Sequence, residues 1–181
     1  MYNSINDRRR AKEVKGSVRL AEARDMAAIL AVYEDARRFM AANGNYSQWG
    51  PQKYPREELL REDIALSRLY VLERGGVICA AFVIAEGEEP TYRVIESGAW
   101  PSERPYVTVH RLGSLSGEHG CAAEALGFAE ALAAERGLTV RADTHADNIP
   151  MRRILEKRGY RYCGVIHVRD GSPRLAFELD K

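Results

Sequence analysis

The sequence predicts one α/β domain, a single mixed, mostly antiparallel twisted sheet flanked by helices on both faces. Three observations carry this. Strand-like runs and helical periods alternate along the chain in the order β-α-α-β-β-β-α-β-α-β-β. Arg74-Gly75-Gly76 and Asp170-Gly171 each join a pair of β-rich runs, which marks antiparallel hairpins. No internal repeat or linker divides the 181 residues, a length that suits one domain with a sizeable core. The domain is expected over residues 17–181, after a flexible tail at 1–16.

Each element has its own justification. SVRLAEA gives a short first strand from Ser17. A helix follows from about Arg24 to Met40, with Met26, Ile29, Leu30, Val32 and Tyr33 near helical spacing. NGNYSQWGPQKYP, Asn43 to Pro55, is rich in helix breakers and reads as loop, yet it carries Tyr46, Trp49 and Tyr54. REELLREDIALSR resumes a helix behind Pro55, with Leu59, Leu60 and Ile64 on one side. LYVLERGGVICAAFVIAEG is the first hairpin, and TYRVIESGAWPSERP is less regular. YVTVHRLGS is a strand that runs into SLSGEHG. The alanine-rich helix behind it buries a stripe of Ala122, Ala125, Leu126, Ala129, Leu132 and Ala133. LTVRADT is another strand, and HADNIPMRRILEKRG another helix, which Gly159 is placed to end. YRYCGVIHV and PRLAFEL close the chain as a hairpin.

Composition narrows the function. The 27 basic residues balance 26 acidic ones, so no strong field points to nucleic acid or an acidic membrane. NDRRRAKEVK, Asn6 to Lys15, lacks apolar periodicity and reads as a solvated terminus rather than a nucleic-acid arm. No apolar run follows its arginines, so it does not read as a secretory leader. No stretch approaches the ~20 apolar residues of a membrane span. Cys79, Cys121 and Cys163 are odd in number and scattered, which fits neither a zinc spacing nor a disulfide framework. They read as small buried thiols of a reducing cytoplasm, with no metal expected.

SLSGEHGCAAEALGFAEALAAERG, Ser114 to Gly137, sets glycines and serines directly before a good helix. An ordinary turn explains that; so does a docking place for phosphate. A Walker-type loop is excluded, because no lysine lies between Gly113 and Gly137. The G-x-G-x-x-G spacing of dinucleotide-binding folds is also absent, and the segment follows a late strand. A pyrophosphate can still be held without lysine. The first turn of a helix presents unpaired N–H groups and about half a positive charge, and glycine removes the Cβ that would keep phosphate away. Gly117, Gly120, Cys121 and Ala122 give that access.

From Ser17 onward the chain resembles the GNAT N-acyltransferase superfamily, whose donor is acetyl-coenzyme A. The family's loop reads Arg/Gln-x-x-Gly-x-Gly/Ala. Gly117-Glu118-His119-Gly120-Cys121-Ala122 matches its glycine and its final small residue, with Gly117 in place of the long first side chain. DTHADNIPMRRILEKRGYRYCGVI, Asp143 to Ile166, is similar to the family's C-terminal strand–Asn–helix–EK-x-G-Phe/Tyr–strand motif. The resemblance implies a donor site along Leu112, Gly113 and Ser114, the loop from Gly117 to Ala122, and Asn148 and Met151 at the last helix. Asn148 or Asp147 also reads as a plain helix cap. The implied activity is transfer of acetyl to a primary amine, expected on a small molecule. The alternatives are a non-catalytic acetyl-coenzyme A sensor, or acetylation of a protein N-terminus or lysine.

Attack on a thioester needs a free amine. A typical alkylammonium titrates about 3.4 units above neutral pH, so exposing its lone pair costs roughly 4.6 kcal/mol, which a base lowers. His110 lies two residues before Leu112 on the same strand face, and some family members carry a histidine there in a proton path. A structural histidine fits the same pattern. Glu96 is the second candidate base and equally reads as a solvated carboxylate; His145 reads as a loop or capping residue. The family's leaving-group tyrosine is replaced by Leu155, which donates no proton. Trp49, Tyr54, Tyr92 and Trp100 are candidate walls of an acceptor pocket, or anchors of their loops. Edge strands of such a sheet allow a homodimer.

Overall fold

The computed structural model describes residues 16–50 and 52–180. The basic segment Asn6 to Lys15 and nearly all of the expected tail lie outside the described residues. Seven strands form one sheet in the order β1-β2-β3-β4-β5-β7-β6. They are β1 (Ser17–Leu20), β2 (Leu69–Arg74), β3 (Val77–Glu86), β4 (Tyr106–Ser114), β5 (Thr139–Thr144), β6 (Arg161–His167) and β7 (Pro173–Leu179). Every neighbouring pair is antiparallel except β4 and β5, which are parallel. The helices are α1 (Met26–Ala42), α2 (Glu57–Ala65), α3 (Cys121–Glu135) and α4 (Ile149–Lys157). The fold class and the element order are those expected.

Local chemistry moves some boundaries. The first strand stops at Leu20, because Asp25 reaches back to accept the Glu22 N–H at 2.8 Å and opens a 3-10 turn over Ala23–Asp25. The irregular stretch before β4 contains a 3-10 turn at Pro90–Tyr92, opened by Glu89. Gly159 has φ +90° just beyond α4, the left-handed stop expected of it.

Alternation along each strand sorts the core into layers. On one face α3 and α4 set Ala125, Leu126, Ala129, Ala133 and Leu155 against Phe82, Val107, Val109, Val140 and Phe177. On the other, α1 and α2 set Ile29, Val32, Tyr33 and Leu60 against Leu69, Val71, Ala81 and Val83. Residues 87–105 cover the rest of that second face, packing Tyr92, Ile95 and Trp100 over Cys163, Ile166 and Ala176. Among the described residues no helix is long and apolar enough to cross a membrane, and no group of three His, Cys, Asp or Glu side chains could hold a metal.

Candidate functional site

The sheet opens in its middle. β4 and β5 pair only from Tyr106 with Thr139 to Val109 with Ala142. Beyond that β4 stays with β3 through Ser114, while Asp143 and Thr144 stay with β7. The two strands therefore part at His110 and Asp143, and the parting is flanked by α1 and α2 on one side and by residues 87–105 on the other.

His110, half-buried, stands at the apex. Its Nε2 lies 3.2 Å from Glu89 Oε2. Hydrogen bonding from His110, joined by Thr91 N–H and hydroxyl and opposed by burial, brings the Glu89 carboxyl down to about 2. Across the parting, the Tyr92 hydroxyl donates to Asp143 Oδ1 at 2.7 Å. Burial, then the charge of Asp143, pushes the Tyr92 phenol far up, so it remains a neutral donor.

Immediately after His110 the strand bulges. Ala81 pairs with Gly113 and Val83 with His110, so Arg111 and Leu112 together oppose Phe82. Arg111 takes φ +54° to do so. Its carbonyl accepts from the Tyr33 hydroxyl at 2.8 Å, and its guanidinium donates to Asp63 Oδ1 at 2.9 Å and to the Tyr54 hydroxyl at 3.1 Å. Gly113 serves close approach: a Cβ there would come 3.0 Å from the Tyr33 ring. Leu112 packs towards α3, so the bulge turns it to the face opposite His110 rather than the same face that simple alternation predicted, and Ser114 ends the pairing opposite Ala80.

The loop into α3 is fastened at both ends. Leu115 N–H donates to the Cys79 carbonyl at 2.9 Å, and Ser116 N–H to Asp35 Oδ2 at 2.6 Å. Gly120 caps the helix at φ +79°, a conformation that favours glycine. A Cβ on Gly117 would meet nothing within 4 Å, so this side of the loop is open backbone. Helix geometry leaves the first N–H groups of α3, beginning with Cys121 and Ala122, without intrahelical acceptors. Arg74 of β2 supplies the nearby cation: it donates to the His119 carbonyl at 2.9 Å and to Glu124 at 2.7 Å, and lies 3.6 Å from Glu118. The Cys121 sulfur rests 3.2 Å from that of Cys79, and burial pushes its thiol up to about 12, so it packs as a neutral group. All three cysteines are buried and free.

Asn148 caps α4 by accepting the Met151 N–H at 3.3 Å. Its amide also donates to Gln48 Oε1 at 3.2 Å, and Gln48 receives Asn45 as well at 2.8 Å. The α1–α2 loop is thus tied to the start of α4. His145 accepts from Asp147 N–H at 3.2 Å, a contact within its own loop. Leu155 is fully buried in the α3–α4 core, and Tyr160 is buried beside it.

The aromatic residues fall into separate groups. Trp49 is buried edge-on to Tyr33 at 5.8 Å and beside Tyr54 at 6.3 Å, on the α1–α2 side. Tyr92 and Trp100 stack on each other at 5.1 Å, and Trp100 Nε1 donates to the Tyr92 carbonyl at 2.9 Å. The Arg141 guanidinium lies between Trp100 and Tyr106, at 4.1 and 4.0 Å. This stack fastens residues 87–105 onto the sheet. Glu96 is exposed, and its backbone bridges to Val165 on the outer edge of β6, three strands away from β4. It does not meet His110.

Glu89, Gln48 and Arg74 were missed in the sequence. Glu89-Pro90-Thr91 is an acid before a proline-led turn, a capping signal that could have drawn attention to Glu89. Nothing local marks Gln48 or Arg74.

No family model matches the chain, and no curated relative does. Solved structures do. A GNAT-family acetyltransferase from Streptococcus agalactiae is 29% identical, with 92% of this chain and 95% of that chain covered at a TM-score of 0.78. A putative acetyltransferase from Staphylococcus aureus is 28% identical, covering 91% and 99% at 0.69. The NatC complex bound to Gag peptide and CoA shares the fold at 12% identity, covering 92% and 99% at 0.62.

Proposed function

The chain belongs to the GNAT N-acetyltransferase superfamily, and from that premise we propose that it moves an acetyl group from acetyl-coenzyme A to a primary amine of a small molecule, by direct attack in a ternary complex. The observation that carries this reading is the parting of β4 from β5 with His110 at its apex.

The residues present suit the donor. The open backbone at Gly117 and Gly120 and the first N–H groups of α3 suit pyrophosphate oxygens. Leu112, Gly113 and Ser114 would border the pantetheine on one side and Asn148 and Met151 on the other, and a β4 backbone N–H would polarise the acyl carbonyl. Bound there, the donor supplies an activated thioester carbonyl. His110 takes the ammonium proton through water. The amine nitrogen would then bond to the acyl carbon as the carbon–sulfur bond breaks, and it would release its second proton to solvent to leave the neutral amide. Leu155 has no proton to give, so the departing thiolate is protonated from solvent. Trp49 and Tyr54 wall the acceptor side. A cytoplasmic location suits the free thiols.

Coenzyme A release across a panel of amines tests the reading. His110→Ala is expected to lower kcat/KM by about a hundredfold or more while leaving coenzyme A binding intact. An unchanged rate at every pH removes the base assignment. The buried Leu155 and the bare Gly117 favour a second reading, a donor-binding sensor. Acetyl-coenzyme A binding without thiol release for any amine or peptide would select it.

A further inference from the structure

We propose that Glu89 is a positioning residue that holds the Nε2–H of His110, fixing the neutral imidazole with its lone pair on Nδ1. This rests on His110 as the base, and makes Nδ1 the nitrogen that receives the amine proton.

Glu89 is itself held before it reaches His110. Its N–H donates to the Tyr106 hydroxyl at 2.9 Å, and its Oε1 accepts from Thr91 N–H at 3.2 Å and the Thr91 hydroxyl at 2.9 Å. Oε2 is left for Nε2 at 3.2 Å. A carboxylate only accepts hydrogen bonds, so the contact is favourable when Nε2 carries the hydrogen. A neutral imidazole carries one such hydrogen, which leaves the lone pair on Nδ1. Nδ1 has no partner among the described residues.

The other charges around His110 are already engaged. Asp143 of β5 accepts from Tyr92, whose ring lies 6.3 Å from the imidazole. Arg111, next along β4, is turned to Asp63 of α2 and to Tyr54, and Tyr33 of α1 is bonded to the Arg111 carbonyl. Glu89 therefore supplies the fixed negative charge beside His110. With its carboxyl held near 2 it is a poor base in its own right but stays ionised at every working pH.

Nitrogen-15 NMR of the labelled imidazole in the full chain reads the tautomer directly. With the ring neutral, His110 is expected to carry its hydrogen on Nε2 and leave Nδ1 bare. Glu89→Gln keeps an acceptor oxygen but loses the charge. It should keep that tautomer and lower kcat less than Glu89→Ala does, because an acceptor oxygen still faces Nε2–H. Glu89→Ala should lose the tautomer preference and lower kcat, with acetyl-coenzyme A binding unchanged. A wild-type His110 protonated at Nδ1 overturns the proposal whether or not either variant folds. So does a folded Glu89→Ala variant that keeps the wild-type tautomer preference. A fully active His110→Ala enzyme overturns the base reading instead, and with it the catalytic half of this proposal, while the tautomer is still read independently.

Discussion

Gly120 and Gly117 sit three residues apart in one loop and answer to different constraints. Gly120 needs its φ of +79°, and a Cβ there would meet only Arg74 Nη2 at 3.8 Å, so the obstacle to a side chain is backbone strain. Gly120→Ala is expected to cost about 1 kcal/mol of stability, read by urea denaturation, and to weaken coenzyme A binding because the cap re-aims the N–H groups behind it. Gly117 has no such φ and no neighbour. Gly117→Ala should change stability by less than about 0.5 kcal/mol. Gly117→Arg restores the long side chain that the family carries at this position. It should tighten coenzyme A by up to about tenfold, the worth of one charge-assisted hydrogen bond at an open site. Calorimetry decides; looser binding would mean that Arg74 already supplies the cation and repels a second one.

At the scale of elements, the parting of β4 and β5 depends on what holds the segments either side of it. Residues 87–105 are anchored by the Arg141 guanidinium, which also donates to Glu178 Oε2 at 2.6 Å and to the Ser102 carbonyl at 2.7 Å. Arg141 and Glu178 face each other across β5 and β7, and both are buried. Removing one partner strands the other, so Arg141→Leu is expected to cost about 3 kcal/mol. Adding Glu178→Leu should recover part of that loss, and a double-mutant cycle by urea unfolding measures the coupling. These elements also show what was legible in the sequence. Strands and helices declared themselves by period, and Leu155 by its place in LEKRGY. Tyr92 and Trp100 were visible as aromatics, but whether they line a pocket or fasten a loop depends on where 87–105 crosses the sheet. Glu89 and Gln48 lie in irregular segments whose partners, His110 and Asn148, are brought near only by the fold. Glu96 failed for the same reason in reverse: close to β4 along the chain, it bridges to the far edge strand.

For the whole molecule, the joints between layers carry carboxylates whose titration is shifted by folding. Asp25, lowered by its bond from Arg19, joins α1 to the β1–β2 edge, and Asp35, lowered by Ser116 N–H, joins α1 to the loop before α3. Glu89, lowered to about 2 by His110, joins residues 87–105 to β4. A carboxyl lowered in the folded state contributes stability that is complete above its unfolded value and disappears as pH falls through its folded one. Glu178, raised by burial, has the opposite sign: the folded state holds its proton more tightly, so its contribution grows as pH falls. Three joints set against one predict a net loss of stability on acidification. For Glu89 the window runs from the ordinary 4.5 down to about 2. Urea unfolding of wild type and Glu89→Gln should therefore give curves well separated at pH 7 that converge as pH approaches 2, since protonation then removes from the wild type what the substitution has already removed. A gap that stays constant across that range would mean that the carboxylate charge contributes nothing to holding residues 87–105 against β4.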